Sequence, residues 1–223
     1  MYKTYIFDLD GTLLDTLDDL AAAVNFALRQ YDMPEHSRDD IRRFVGNGVR
    51  MLMVRAVPDG DRNPLFDRAL ATFRDYYLHH SLDRTAPYPG IPELLAELKR
   101  RGCHVAVVSN KFCTATEELC RHFFAETVEV AIGENEAAGI RRKPAPDTVF
   151  EALRQLGADA STAVYVGDSN VDILTARAAS LPCISVLWGF RDRQFLLDHG
   201  ATTFAHQPAD LLTQTGHCLI TQL

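Results

Sequence analysis

The chain has 223 residues, 47% of them hydrophobic and 24% charged, which is enough to bury a substantial core in one large domain or in a core with a smaller domain. Its formal net charge of −7 offers no basic surface to follow a phosphate backbone, so we expect no nucleic-acid partner. No apolar run approaches bilayer-spanning length, no secretion signal is recognisable and the five cysteines are never spaced C-x-x-C, so we expect a cytoplasmic location and no membrane partner.

The first predicted element is a short apolar strand that ends in two carboxylates. Tyr5–Phe7 leads into Asp8 and Asp10, and Gly11 follows. Because alternate residues of an extended chain share one side, Asp8 and Asp10 emerge together. Two acids at one spot repel unless a cation or a shared proton relieves them, and Gly11 permits a sharp turn or a close approach. The segment predicts a nucleophilic carboxylate, a neighbouring acid/base and a divalent metal, with an ordinary polar turn as the alternative.

From Asp15 to Asp83 the sequence has helical periodicity and no convincing strand. Three apolar stripes repeat at helical spacing: Leu17, Leu20, Ala21, Val24 and Leu28; Ile41, Val45, Val49, Leu52 and Ala56; and Phe66, Leu70, Phe73 and Tyr77. We therefore predict a small all-helical domain over 15–83 and a main domain formed by 1–14 and 84–223.

Two glycines stand within the second stripe of this helical segment. Gly46 and Gly48 would each cost about 1 kcal/mol inside a helix, so they are predicted to open one at a turn. There, backbone N–H groups and Arg50 could meet a substrate carboxylate. A plain turn with a solvated Arg50 is the equal alternative.

The rest of the chain alternates apolar runs with helical patterns. The runs are continuous rather than alternating, which favours strands buried on both faces of a parallel sheet. With the first strand they are Tyr5–Phe7, Val105–Val108, Val128–Ile132, Val164–Val166 and Ile184–Leu187. Repeated β-α units predict an α/β fold with a doubly wound parallel sheet, whose ligands bind beyond the carboxyl ends of the strands.

Polar residues follow the later runs at this predicted edge. Val105–Val108 is followed by Ser109-Asn110-Lys111, and Val164–Val166 by Gly167-Asp168-Ser169-Asn170-Val171-Asp172. Between them lies the proline-stiffened basic turn Arg142-Lys143-Pro144-Ala145-Pro146. Each segment alone is typical of an ordinary turn. Together with the first strand, the ordered set resembles the four motifs of the haloacid dehalogenase-like (HAD) superfamily, on its phosphatase branch, over nearly the whole chain. The helical segment resembles the cap that this superfamily inserts between its first two motifs.

The resemblance implies a Mg²⁺-dependent phosphatase that forms an aspartyl-phosphate intermediate. Asp8 would be the nucleophile, because covalent catalysis divides the attack on an inert phosphate monoester into two easier steps. Asp10 would protonate the leaving alkoxide and then take a proton from the hydrolytic water. The family pattern gives Mg²⁺ three protein ligands, which are Asp8, the backbone carbonyl of Asp10, and Asp168.

Other motif residues would hold the phosphoryl group or support those that do. Ser109 would give its hydroxyl, and Leu9, Asp10 and Asn110 their backbone N–H groups, to phosphoryl oxygens. Lys143 would place a positive charge against the phosphate, although a lone turn lysine is usually solvated. Asp172 would support Lys143 or a metal-bound water, with a helix-surface acid as the alternative. Thr12 would fix its own loop through its hydroxyl.

Secondary marks resemble the phosphoglycolate phosphatase-like branch. Val108-Ser109-Asn110-Lys111 resembles its V-T-N-K second motif, Val45–Val49 its G-x-G-V segment, and Val186–Phe190 its V-x-W-G-Y/F stretch, in which Trp188 is either a core or a site residue. We therefore predict a small phosphorylated metabolite as substrate, with 2-phosphoglycolate first, and a monomer or homodimer. Because these marks are shared more widely, a pyrophosphatase and a sugar-phosphate phosphatase or mutase stay open.

Several other functions fit the residues less well. Dehalogenases lack the second acid, here Asp10, and sugar-phosphate mutases often carry valine where Thr12 stands. A phosphonate hydrolase needs a lysine in the helical segment for a Schiff base, and residues 15–83 contain none. A catalytically retired binding or regulatory protein is the alternative from a different class. Such a protein should have lost Asp8, Asp10 or Asp168, and all three are present.

Overall fold

Eight strands occur in the computed structural model, which describes residues 2–135 and 139–214. They are β1 Thr4–Phe7, β2 Leu14–Asp15, β3 Ala86–Pro87, β4 His104–Phe112, β5 Val130–Glu134, β6 Ala163–Gly167, β7 Cys183–Val186 and β8 Phe204–Ala205. Six of them form one parallel sheet in the order β5-β4-β1-β6-β7-β8. The other two, β2 and β3, pair antiparallel as a separate ribbon.

Nine α-helices accompany these strands within the described residues. Four lie between β2 and β3: α1 Leu17–Arg29, α2 Arg38–Phe44, α3 Val49–Ala56 and α4 Phe66–His80. The other five are α5 Ile91–Arg100, α6 Cys113–Phe124, α7 Asp147–Leu156, α8 Asn170–Ala178 and α9 Arg193–Asp198. None of the described helices is both long enough and apolar enough to cross a bilayer.

The parallel sheet is buried on both faces. Tyr5 and Phe7 of β1 pack with helix α5 on one face, whereas Ile6 packs with helix α7 on the other. Because both faces are covered by helices, residues of both registers are apolar and the alternation of a half-exposed strand is lost. The predicted α/β fold with a doubly wound parallel sheet is confirmed.

Strand β1 lies in the middle of the sheet and leads to the first two acids. Phe7 pairs with Val107 of β4 on one side and with Val166 of β6 on the other. The carboxyl ends of the three strands therefore bring residues 8–10, 109–111 and 168 to one edge of the sheet, where α/β folds bind ligands.

Helices α1 to α4 form a unit with its own apolar cluster, which we call the helical insertion and define as residues 15–83. The cluster contains the interior residues of all four helices, and Ala115 and Phe190 of the main domain also pack on it. The β2–β3 ribbon joins the insertion to the sheet, with Leu14 opposite Pro87 and Asp15 opposite Ala86. This separate cluster supports the proposed division into 1–14 with 84–223 and 15–83.

The turn predicted at Gly46 and Gly48 is present and divides the second apolar stripe between helices α2 and α3, with φ of 83° at Gly48. Other elements differ from the sequence-based expectations. Strand β4 extends to Phe112, beyond its apolar run, and the short strand β8 was not predicted. The four described cysteines are free, and Cys218 lies outside the described residues.

Candidate active site

A cavity lies between the helical insertion and the edge of the sheet formed by the C-terminal ends of its strands. Its wall on the insertion side is largely apolar and consists of Leu20, Val45, Gly46, Gly48, Val49 and Leu52. Its floor on the sheet side is mostly polar and consists of Asp8, Asp10, Ser109, Asn110, Lys111, Lys143, Asp168, Ser169, Phe190 and Arg191. The structure thus brings together the predicted site residues of four separate segments.

Asp8 and Lys143 form a buried ion pair at the centre of this floor. The Nζ of Lys143 lies 2.8 Å from Oδ1 of Asp8, and the backbone N–H of Leu9 donates to the same oxygen at 2.7 Å. No hydrogen-bond donor of the described residues reaches Oδ2 of Asp8. One carboxylate oxygen is therefore held, and the other is left to a ligand.

Asp172 anchors Lys143 from the opposite side. Its Oδ1 accepts from Lys143 Nζ at 2.8 Å and from the Tyr165 hydroxyl at 3.0 Å. Its Oδ2 accepts from the Ser169 backbone N–H at 3.1 Å and from the Ser169 hydroxyl at 2.6 Å. A carboxylate has about four lone-pair positions, so Asp172 is saturated by these four donors. This arrangement supports the predicted role beside Lys143 over direct metal coordination.

Asp168 lies in a cradle built from main chain. Its Oδ2 accepts from the backbone N–H of Phe190 at 2.6 Å. A Cβ added at Gly11 would lie 2.4 Å from that oxygen, and one added at Gly189 would lie 2.3 Å from the Asp168 Cβ. Only glycine fits at either position. The two glycines therefore let the backbone close around one side of Asp168, while no described donor binds its Oδ1.

The residues present fit a divalent cation. One carboxylate oxygen of each of Asp8, Asp168 and Asp172 lies within 4.8 Å of the others. The Asp172 oxygens are taken by their four donors, so of these described acids Asp8 and Asp168 are the two with an oxygen free for a cation. Burial, followed by repulsion from Asp172, raises the pKa of Asp8 well above its usual range, against the pull of Lys143. The same two causes raise the pKa of Asp168 to about 7. Crowded, buried carboxylates with free oxygens suit a hard cation that takes oxygen ligands.

Asp10 is held by Lys111 and Thr16. Lys111 Nζ donates to Oδ1 and Oδ2 of Asp10 at 2.8 and 3.1 Å, and the Thr16 hydroxyl donates to Oδ1 at 2.6 Å. Lys111 also lies over the ring of Tyr77 in helix α4, 4.7 Å from its centroid. Burial alone would lower the pKa of Lys111, but the neighbouring Asp10 carboxylate outweighs it and raises that pKa, so the ammonium stays charged. Asp10 therefore touches both the main domain and the start of the insertion.

Ser109 and Asn110 lie within strand β4, directly after its apolar run. The Ser109 side chain is buried on the cavity floor. The Asn110 amide accepts from the backbone N–H of Lys143 at 2.8 Å and donates to the Lys143 carbonyl at 3.0 Å. It also donates to the Gly46 carbonyl at 3.4 Å. The Asn110 side chain thus positions the Lys143 turn.

The predicted site residue Arg50 lies away from the cavity. Arg50 is outside the cavity lining, with its guanidinium 3.7 Å from Asp61, 3.6 Å from Asp67 and 4.8 Å from the centre of the Phe66 ring. Neighbouring residues of a helix point in different directions, so when Val49 of α3 faces the cavity, Arg50 faces out. The structure therefore does not bring Arg50 to the other site residues.

Thr12 fixes its loop through its backbone rather than its hydroxyl. Its carbonyl accepts from Trp188 Nε1 at 2.9 Å, whereas its hydroxyl is buried without a hydrogen-bond partner among the described residues. This contact makes Trp188 a residue that ties the chain after β7 to the Asp10 loop.

Sequence reasoning missed the contact through which Arg191 joins the insertion to the main domain. Its guanidinium donates to the carbonyls of Arg42, Arg43 and Val45 at 2.7, 3.3 and 2.6 Å, at the end of helix α2. It also missed the partners of Asp10. One signal for the Asp10 partner was available, since Lys111 stands two residues after Ser109, and such residues share a side in a regular strand.

The chain is similar to known proteins over most of its length. Residues 5–186 match the family model described as haloacid dehalogenase-like hydrolase. A phosphoglycolate phosphatase of Mesorhizobium japonicum is 37% identical over 197 residues, covering 84% of each chain. A solved structure from Lactobacillus delbrueckii subsp. bulgaricus is 38% identical with a TM-score of 0.89, covering 94% of this chain and 96% of that one. CbbY from Rhodobacter sphaeroides, solved with phosphate, is 28% identical with a TM-score of 0.73, covering 95% of this chain and 96% of that one.

Proposed function

We propose a substrate and a mechanism for this chain from the premise that it belongs to the haloacid dehalogenase-like hydrolase family and is a phosphatase. The reaction is Mg²⁺-dependent hydrolysis of a small phosphate monoester, 2-phosphoglycolate, through an aspartyl phosphate on Asp8. The observation that carries the proposal is Asp8, which lines the cavity with one oxygen bound to Lys143 and Leu9 and the other bound by no described donor.

Asp8 attacks phosphorus with its free oxygen, and the phosphorus–oxygen bond to the leaving group breaks. The bond to Lys143 and the backbone N–H of Leu9 fix the plane of the carboxylate, so the attacking lone pair is aimed at the cavity rather than rotating. Holding the nucleophile in one orientation removes part of the entropic barrier. Water then hydrolyses the acyl phosphate and restores Asp8.

Asp10 transfers the proton that each half-reaction needs. It gives a proton to the leaving alkoxide in the first step and takes one from the attacking water in the second. The bonds from Lys111 and Thr16 hold its carboxyl group beside Asp8 without occupying every lone pair.

Lys143 and Ser109 hold the phosphoryl group against the nucleophile. The Lys143 ammonium is charged because Asp172 and Asp8 raise its pKa against the opposing effect of burial. A fixed positive charge in a buried site stabilises the charge that develops during transfer. Ser109, on the same floor, supplies a hydroxyl donor to a phosphoryl oxygen.

Asp8, Asp168 and the backbone carbonyl of Asp10 would hold Mg²⁺. Bound there, the ion neutralises the charge that the substrate and the acids bring together. The cradle of Gly11, Gly189 and the Phe190 N–H turns Asp168 so that its other oxygen remains available.

The substrate is the small monoester 2-phosphoglycolate. The phosphoglycolate phosphatases of Mesorhizobium japonicum and Caulobacter vibrioides are both 37% identical to this chain, the latter covering 85% of it and 81% of that relative. A sugar bisphosphate is the second candidate, because a variant of CbbY with xylulose-1,5-bisphosphate bound is 27% identical, with a TM-score of 0.77.

A metabolite panel with Asp8→Asn tests the proposal. Purified enzyme should release phosphate from 2-phosphoglycolate with Mg²⁺ and lose the activity in EDTA. Asp8→Asn should show no turnover and an unchanged far-UV circular dichroism spectrum, because the amide is nearly isosteric but not nucleophilic. Near wild-type turnover of Asp8→Asn would refute the mechanism. A strong preference for pyrophosphate or a sugar phosphate would refute only the substrate.

A further inference from the structure

The cavity has a cation, bonded to Asp10, that is not among the residues proposed to hold the phosphoryl group. Among the described residues that line it, three carry a positive charge: Lys111, Lys143 and Arg191. Lys143 is bound to Asp8 and Asp172 and faces the phosphoryl group. Arg191 is committed to three main-chain carbonyls of the insertion. Lys111 bonds to the Asp10 carboxylate and is the cation that remains for a substrate.

We propose that Lys111 is the specificity-determining residue that binds an anionic group carried by the leaving group, here the carboxylate of 2-phosphoglycolate. The inference rests on the proposed function. Asp10 contacts the leaving oxygen, and Lys111 Nζ lies 2.8 Å from an Asp10 oxygen. In 2-phosphoglycolate one methylene separates the ester oxygen from the carboxylate. A substrate whose ester oxygen reaches Asp10 therefore carries its carboxylate into the neighbourhood of Lys111.

Lys111 has donor capacity left for this carboxylate. An ammonium group has three N–H donors, and Asp10 is its hydrogen-bonded carboxylate partner. The side chain is 2% exposed, so its charge acts in a largely dry site where a charge-assisted bond is strong. The ring of Tyr77 packs against the ammonium from the insertion and limits where it can move.

The insertion adds a second positive feature beside Lys111. Helix α3 begins at Val49, and the preceding Gly48 has no side chain to bind the free N–H groups of the first turn. Gly48 and Val49 line the cavity, and a Cβ on Gly48 would lie 3.2 Å from the carbonyl of Asn110, the neighbour of Lys111. The start of α3 and Lys111 thus both line the cavity, and both favour an anion, although a Cβ on Gly48 would also lie 3.4 Å from a carboxylate oxygen of Glu134.

Arg50, which the sequence offered for this role with a plain turn and a solvated arginine as the equal alternative, is a poorer candidate. Its guanidinium lies outside the cavity lining and faces Asp61 and Asp67 on the surface. The insertion side chains that do line the cavity are Leu20, Val45, Val49 and Leu52, none of which can bind a carboxylate. The positive charge that would bind the substrate carboxylate therefore comes from Lys111 of the main domain.

A matched pair of substrates isolates this contact. 2-Phosphoglycolate and 2-hydroxyethyl phosphate share the phosphate and the methylene, and differ by carboxylate against hydroxymethyl. The wild-type enzyme with Mg²⁺ should show a higher kcat/KM for 2-phosphoglycolate. Lys111→Met should lower the ratio of the two kcat/KM values on the order of 10- to 100-fold, the value of one charge-assisted hydrogen bond. Lys111→Arg, which keeps the charge, should retain part of the preference.

Arg50→Gln is the competing variant, and it should keep the wild-type ratio. Collapse of the ratio in Arg50→Gln with an unchanged ratio in Lys111→Met would overturn the inference. Equal kcat/KM values for the two substrates in the wild-type enzyme would overturn it even if Lys111→Met fails to fold. In either case, Mg²⁺-dependent hydrolysis of p-nitrophenyl phosphate would still support the proposed phosphatase activity. Absence of all monoester hydrolysis in the wild-type enzyme would refute the proposed function and the inference together.

Discussion

Asp172→Asn tests whether the buried ion-pair chain organises the site. The substitution keeps the shape of the side chain and removes its charge. Asp172 is fully buried and accepts from four donors: two from Ser169, one from Tyr165 and one from Lys143. An amide has one acceptor oxygen, and its NH₂ group faces donors where the second oxygen was. At least one buried donor therefore loses its acceptor, and Lys143 keeps only Asp8 as a charged partner.

Two opposing effects set the expected loss of stability. Removing one member of a buried ion pair costs about 3–5 kcal/mol when the other charge is left unpaired. Here Asp8 still lies 2.8 Å from Lys143, and loss of the Asp172 charge relieves its repulsion of Asp8 and Asp168. We therefore expect about 2–3 kcal/mol, since an unsatisfied buried donor alone costs about 1–3 kcal/mol. At about 2–4 °C per kcal/mol for a chain of this size, Tm should fall by about 4–12 °C.

Thermal unfolding of the metal-free protein in EDTA, followed by circular dichroism, measures this shift. kcat/KM for p-nitrophenyl phosphate should fall on the order of 10-fold or more, because Lys143 is no longer held against the phosphoryl group. Asp61→Asn makes the same chemical change at an exposed acid 3.7 Å from Arg50 and should barely move either quantity. If Asp172→Asn matched Asp61→Asn in both Tm and kcat/KM, the anchoring role of Asp172 would be refuted.

Three further outcomes are expected. Asp10→Asn should slow phosphoenzyme formation from an alkyl phosphate by about 10²–10⁴-fold. It should slow formation from an aryl phosphate far less, and equal losses in rapid-quench experiments would contradict the proton-transfer role. Asp168 has a pKa of about 7 in the folded, metal-free protein, above the ordinary value of 3.8, so its ionisation destabilises that state as pH rises from about 4 to 7. Mg²⁺ needs the ionised forms of Asp168 and of Asp8, whose pKa is also raised, so calorimetric affinity should tighten as pH rises through about 7, and Asp168→Asn should weaken that trend. Arg191→Gln should accelerate amide hydrogen exchange in residues 41–45 on the order of 10-fold, since each lost hydrogen bond contributes about 1 kcal/mol; unchanged exchange would show that Arg191 does not hold helix α2.

The parts of the fold that could be predicted from sequence are those with strong local signals. Strands β1 and β6 are continuous apolar runs that end in acids, and their buried positions follow from that composition. The ribbon of β2 and β3 and the edge strand β8 contain two residues each, too few to produce any periodicity. Such elements are set by the neighbours they pair with, which a local pattern does not contain.

The candidate site divides in the same way. The sequence placed Asp8, Asp168 and Lys143 at one edge because each follows a recognisable strand or turn, and the structure brings their side chains together. The partnership of Asp10 with Lys111 joins residues 101 apart in the chain. It depends on β4 lying beside β1 in the sheet. The direction of Arg50 depends on the rotation of α3, which the turn at Gly48 sets.

The Arg191 contact holds the helical insertion in place without using the insertion side chains that line the cavity. Arg191 donates to main-chain oxygens at the end of α2, so the contact does not depend on the side chains that α2 carries. The cavity wall, by contrast, is made of insertion side chains such as Val49 and Leu52. A transplanted insertion from a relative with another substrate would therefore keep the Arg191 contact, provided that its helix equivalent to α2 ends at the same place. The attachment of the insertion and the side chains of the cavity wall can thus be engineered separately.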